Sequence, residues 1–173
     1  MKTLALLFAA AACGQHAGSP APAPGPEVPH FAVTSTAFAA GGEIPTENTC
    51  EGADSAPPLL WTGAPAQTKA YAVIVDDPDA PDPAAPKQTW VHLVAMTTST
   101  QLGSDATFGT NDFGKAAWGG PCPPIGRHHY HFKVYALDAP VGGAGITKDA
   151  LLAQMQGHVV GFGELVGTYQ KKK

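Results

Sequence analysis

The chain has 173 residues, 44% hydrophobic and 14% charged, with a formal net charge of −4 at pH 7. The acidic balance excludes a strongly basic nucleic-acid binder, and no apolar run reaches the roughly 18 residues of a membrane-spanning helix. Twenty Gly and 17 Pro disfavour a helical bundle and favour a turn-rich, sheet-rich domain large enough to bury one core.

Residues 1–12 place one Lys ahead of an uncharged, mostly apolar run that ends in small residues. That is the pattern of an export signal peptide. Cys13 follows Ala10-Ala11-Ala12 directly, similar to a bacterial lipobox, although Leu is more usual where Ala10 stands. The expectation is a lipoprotein acylated at Cys13 and held to a membrane on the periplasmic side, the outer membrane in a Gram-negative cell. Cleavage at an ordinary A-x-A site, releasing a soluble exported protein, is the alternative. Residues 13–29 alternate Pro with small residues and read as an extended tether with nothing to bury. The folded domain is expected over residues 30–170, and residues 171–173, all Lys, form a short solvated basic end. With Cys13 set aside, Cys50 and Cys122 are an even pair. In an oxidising compartment such a pair suggests a disulfide; two separate buried thiols are the alternative.

Within the domain, Phe31–Phe38 alternates and reads as a strand, followed by a turn at Gly41–Pro45 and a loop from Cys50 to Pro58. Ala70–Val75 is a continuous, β-branched apolar run of strand length, stopped by the prolines of Asp76-Asp77-Pro78-Asp79-Ala80-Pro81. Trp90–Met96 and Tyr130–Leu137 are further strands, separated by a Gly/Pro loop over Trp118–Gly126. One helix is expected. Thr147 caps it, Asp149 lies in its first turn, Leu151, Leu152, Met155 and Val159 form its apolar stripe, and Gly157 ends it. Phe162–Tyr169 closes the chain as a glycine-containing strand. The sum is a mainly β domain with a helix near its C-terminus.

Three features carry chemistry. Asp77 and Asp79 form a stiff acidic corner at the end of a buried strand, where a solvated turn is the plainer reading. His92 sits inside a strand, and period-2 alternation puts it on one face with Trp90, Val94 and Met96. There it is either a hydrogen-bonded core histidine or a functional one partnered by Asp77 or Asp79. The loop Gly119–Gly126 runs into Arg127-His128-His129-Tyr130-His131-Phe132. Alternation places His128, Tyr130 and Phe132 on one face and His129 and His131 on the other; if the first face is inward, His128 and the Tyr130 hydroxyl point together into a cavity and His129 and His131 are surface residues.

These residues, in this order and spacing, resemble the two signature segments of the phosphatidylethanolamine-binding protein family, in its bacterial Raf-kinase-inhibitor-like branch. Asp77-Pro78-Asp79-Ala80-Pro81, with Trp90 and His92, carries the first. Gly120 through Tyr130 carries the second, and the likeness runs from about Phe31 to Tyr169. The resemblance implies a sandwich with a large antiparallel sheet, a smaller second sheet and peripheral helices. It also implies a small pocket for anions, phosphate head groups included, built from Asp77, Asp79, Trp90, His92, Pro123, Pro124, His128 and Tyr130. Cys122 stands in the pocket loop where animal members commonly have Gly. The family's His-Arg-Tyr is His128-His129-Tyr130 here, two successive His of animal members are Val91-His92, and where animal members have a longer C-terminal segment beside the pocket this sequence ends soon after Tyr169. Bacterial members admit a homodimer.

On this reading the partners are a small anionic ligand and, through the anchor, a membrane. No nucleic acid, cofactor, metal ion or catalytic residue is called for. Asp77 or Asp79 would raise the pKa of His92 and favour its imidazolium, whose second N–H would reach the anion. Binding would then tighten from pH 8 to pH 6. The rival readings are a thiol hydrolase with Cys122 as nucleophile and His128 or His92 as base, a metal site from His92, His128 and an Asp, and an interaction module that inhibits a protease or kinase through the pocket rim.

Overall fold

A computed structural model describes residues 28–172. The expected signal segment 1–12, Cys13, most of the expected tether and Lys173 lie outside the described residues. Seven strands form two antiparallel sheets: Ala32–Thr34 (β1), Leu60–Thr62 (β2), Ala70–Asp77 (β3), Trp90–Thr97 (β4), Thr107–Phe108 (β5), Arg127–Leu137 (β6) and Val159–Gln170 (β7). β1 pairs with β2, and the large sheet runs β5-β4-β3-β6-β7. One helix, Lys148–Met155 (α1), lies between β6 and β7, and a 3-10 turn spans Thr46–Asn48.

The apolar run of β3 becomes the middle strand, and all eight of its residues are buried. A strand covered on both faces has no polar side to present, which is why its sequence does not alternate. β6 has one open face and does alternate: His128, Tyr130, Phe132 and Val134 are buried, while Arg127 and His129 are exposed and His131 is half-buried.

Two cores result. On one face, Phe31, Val33 and Trp61 of the small sheet meet Tyr71, Val73, Phe132 and Val134 of the large one. Close approach there depends on glycine in β7. A Cβ at Gly163 would lie 2.6 Å from Val33 Cγ2 and 2.7 Å from the Phe31 carbonyl oxygen. On the other face, Leu151 and Met155 of α1 pack on Ala72, Ile74 and Val94. Thr147 caps α1 by accepting from the Ala150 N–H. The helix is shorter than its sequence pattern suggests. It ends at Met155, and Val159 opens β7 rather than extending the stripe. The first strand is shorter too, covering only Ala32–Thr34 of the expected Phe31–Phe38. β2 and β5, of three and two residues, carry no pattern of their own.

Cys50 and Cys122 are joined by a disulfide with a Cα–Cα distance of 5.5 Å. It ties the loop after the 3-10 turn to the loop before β6. The same bond removes Cys122 as a free thiolate, and with it the basis of the hydrolase reading.

Candidate functional site

The site forms where β3, β4 and β6 meet at one end of the large sheet. β3 ends at Asp77, which pairs with Trp90 at the start of β4. In β4 the alternation breaks. Val75 opposes Leu93 and Asp76 opposes Val91, so His92 is an extra residue in a β-bulge. The bulge corrects the expected face. Val94 and Met96 belong to the α1 core, whereas His92 turns to the opposite side, where its ring meets Tyr130 edge-on at 5.1 Å.

The loop between Ala117 and Pro124 forms the facing wall, and several bonds fix it. The Gly119 N–H donates to the His92 carbonyl at 3.1 Å, and the Cys50 N–H to the Pro121 carbonyl at 3.1 Å. Trp118 Nε1 donates to the Asn48 carbonyl at 3.2 Å, and the Gly120 N–H donates to Asp54 Oδ1 at 2.7 Å. Asn111 Nδ2 bridges the His92 and Ala117 carbonyls at 3.1 and 2.8 Å.

The cavity measures about 240 Å³. Of the residues expected from the sequence, Asp77, Trp90, His92, Cys122, Pro123, Pro124, His128 and Tyr130 line it together. Ala80, Pro81, Gln88 and Phe113 complete the lining. Ala80 and Pro81 belong to the first signature segment, whereas Gln88 and Phe113 lie in irregular segments where neither periodicity nor residue type marks them out. Asp79 is not among the lining residues. Its Oδ2 accepts from the backbone N–H and the Nδ1–H of His129, at 2.8 and 2.7 Å, on the outer side of β6. Burial pushes the Asp79 carboxyl up, but the His129 hydrogen bonds and charge outweigh it and hold the group below its ordinary value.

The acid–histidine pairing differs from expectation. Asp77 serves His128: Oδ2 lies 2.7 Å from Nδ1, with side-chain exposures of 5% and 1%. The other His128 nitrogen, Nε2, faces the Ile125 carbonyl at 2.9 Å. Both ring nitrogens are thus engaged, and the Nε2–H donates to the carbonyl. His92 has no carboxylate partner. Its Nδ1–H donates to the Gly119 carbonyl at 2.5 Å. Burial pushes its pKa down, against the weaker upward pulls of that bond, Asp77, Asp112 and Asp76. His92 is therefore a neutral imidazole at pH 7, not the expected cation.

Two polar atoms in the cavity wall are buried without a hydrogen-bond partner among the described residues: His92 Nε2 and Tyr130 Oη. With Nδ1 protonated, Nε2 is a lone pair and accepts. Burial, then the charges of Asp77 and Asp79, push the Tyr130 phenol up, so it stays an O–H and donates. The cavity thus presents one acceptor and one donor between apolar walls. Among the described residues no group of three or more His, Cys, Asp or Glu side chains is placed to hold a metal ion. Both ring nitrogens of His128 are already engaged, by Asp77 and by the Ile125 carbonyl.

Comparison with known proteins follows this geometry. The phosphatidylethanolamine-binding protein profile matches residues 34–170. A UPF0098 protein of Methanothermobacter thermautotrophicus is 37% identical over 149 residues, covering 78% of this chain and 95% of that protein. A UPF0098 protein of Chlamydia trachomatis is 35% identical over 147 residues, covering 80% and 98%. Among solved structures, the chain is similar to the C. trachomatis protein CT736, described as a putative phosphatidylethanolamine-binding protein homolog. The TM-score is 0.75 at 35% identity, with 83% of this chain and 99% of that one covered. It is also similar to E. coli YbcL, described as a member of the mammalian PEBP family, with TM-score 0.70, 34% identity, and 82% and 99% covered.

Proposed function

The chain belongs to the phosphatidylethanolamine-binding protein family, and on that footing we propose that it is an exported binding protein whose cavity takes a small oxyanion, phosphate or a phosphate head group. The observation that carries this reading is the pair of buried, unpartnered polar atoms, Tyr130 Oη and His92 Nε2, in the wall of one cavity. A buried polar atom without a partner is costly, and a ligand supplying both contacts removes the cost. The Asp77 carboxyl group is itself engaged by His128 at 2.7 Å. Trp90, Phe113 and the prolines keep water away from the contacts and strengthen them. Outside the cavity, Lys171 and Lys172 border a neighbouring groove that shares Pro123 and Pro124 with it, so the approach carries positive charge. Export is supported by the signal-like residues 1–12 and by the Cys50–Cys122 disulfide, since such bonds persist in oxidising compartments.

The test is titration calorimetry with O-phosphoethanolamine at pH 6. Tyr130→Phe removes one donor and leaves the packing. It should weaken binding about tenfold, the cost of a lost hydrogen bond to a charged group. Equal affinity for the wild type and Tyr130→Phe would reject the cavity as the site.

A further inference from the structure

We propose that His92 is a specificity-determining residue that reads the acidic hydroxyl of a singly protonated phosphate monoester, so that the cavity rejects an unprotonated oxyanion of the same shape and charge. This role rests on the oxyanion reading of the cavity and adds to it which oxyanion enters.

Hydrogen-bond polarity sets this role. The Gly119 carbonyl can only accept, so it fixes the proton of His92 on Nδ1. The carbonyl is itself held, because the Gly119 N–H is bound to the His92 carbonyl and the next N–H, of Gly120, to Asp54. Nε2 is left as a lone pair inside the cavity, on a ring 2% exposed. Tyr130 Oη supplies the opposite polarity from β6. A ligand satisfies both atoms only if it brings an acceptor and a donor on one centre. The monoanion of a phosphate monoester does so through P–O⁻ and P–OH. A sulfate monoester is its isostere and also a monoanion, but it has acceptors alone and would set an oxygen lone pair against that of Nε2.

For such a ligand to bind as well, the ring would have to protonate, and the groups facing it decide how readily. They are Asp76 and Asp77 from β3, Asp112 from the segment after β5, and Tyr130 and His128 from β6. Asp77 is bound to His128, and Asp76 pairs with Lys133 and Lys148 at 2.7 and 2.5 Å. Asp112 accepts from the Val91 N–H at 2.8 Å. None of these carboxylates bonds to the ring.

The experiment compares O-phosphoethanolamine with ethanolamine O-sulfate on the full-length protein by calorimetry at pH 7, in buffers of different ionisation enthalpy. The phosphate ester should bind at least about tenfold more tightly. It should also take up a proton, because its second pKa lies near 6 and the dianion predominates at pH 7. His92→Gln carries an acceptor oxygen and a donor N–H on one amide and should bring the two esters within about threefold of each other. Equal binding of both esters by the wild type, or sulfate-ester binding with proton uptake, would show the ring acting as a donor and overturn the assignment, while the oxyanion site itself would stand. Binding of neither ester would remove the site and this role together. The wild-type comparison is decisive even if His92→Gln does not fold.

Discussion

Asp77 and His128 illustrate how much depends on which acid meets which base. The pair is buried on both sides, so neither group can turn to water if its partner is lost. Asp77→Asn keeps the shape and removes the carboxyl group from the buried pair. The expected loss is about 3 kcal/mol of stability, read by chemical denaturation at pH 7. His92 makes a prediction with its own sign. Its folded-state pKa lies below the ordinary 6.5, so between those two values the unfolded chain binds more protons than the folded one, and stability rises with pH. The contribution is complete above the unfolded value and fades as pH falls through 6.5 toward the folded one. His92→Gln carries no such titration. The stability gap between wild type and His92→Gln should therefore narrow as pH drops from 7 to 5, measured as paired denaturation curves; a constant gap would mean the ring is not held neutral. At this scale the sequence was a good guide to which residues converge. Eight of its nine candidates line the cavity. It was a poor guide to their partners, because pairing is a matter of ångströms. Asp77 and Asp79 are two residues apart, yet one serves His128 inside and the other His129 outside. The carbonyl of Gly119 leaves no mark on residue identity at all.

Strands that carry a continuous or alternating pattern over six residues or more were legible: β3, β4, β6 and β7. β2 and β5 were not, since two or three residues hold no period. The bulge in β4 escaped for a different reason. It is a property of register against β3, and a strand read alone has no register. Its effect is large, because without it His92 would face the α1 core with Val94 and Met96. The loop opposite β4 was recognisable from Gly119-Gly120-Pro121, and the structure gives a reason for its second glycine. A Cβ on Gly120 would lie 2.3 Å from Asp54 Oδ1 and 2.6 Å from the Asn48 carbonyl. Gly120→Ala must push apart the two loops that the Cys50–Cys122 bond holds together. The expected cost is about 1–3 kcal/mol. A weaker affinity for O-phosphoethanolamine should accompany it, because Cys122 and Pro123 belong to the cavity wall. Lost stability with unchanged affinity would separate the loop's packing from the site.

For the molecule as a whole, β7 relates the point where the chain enters the domain to the cavity. His30 bridges to Phe162 near the start of β7, while His128, in the cavity wall, pairs with Tyr169 near its end. Seven residues of strand separate the two, about 23 Å at ~3.3 Å per residue. The membrane anchor expected at Cys13 would attach by way of Pro29, at the end of the domain remote from the cavity. That geometry favours ligands arriving from the aqueous side over head groups in the anchoring bilayer. Phe113 and Ile125, 40% and 56% exposed, stand near the cavity and would be covered if the mouth lay against lipid. The expected outcome is that the acylated protein in neutral phosphatidylcholine vesicles and a Cys13→Ser form free in solution bind O-phosphoethanolamine with the same affinity, within about twofold. A tenfold loss in the vesicle-bound form would mean that the mouth is turned to the bilayer, and that the anchor presents the cavity to lipid.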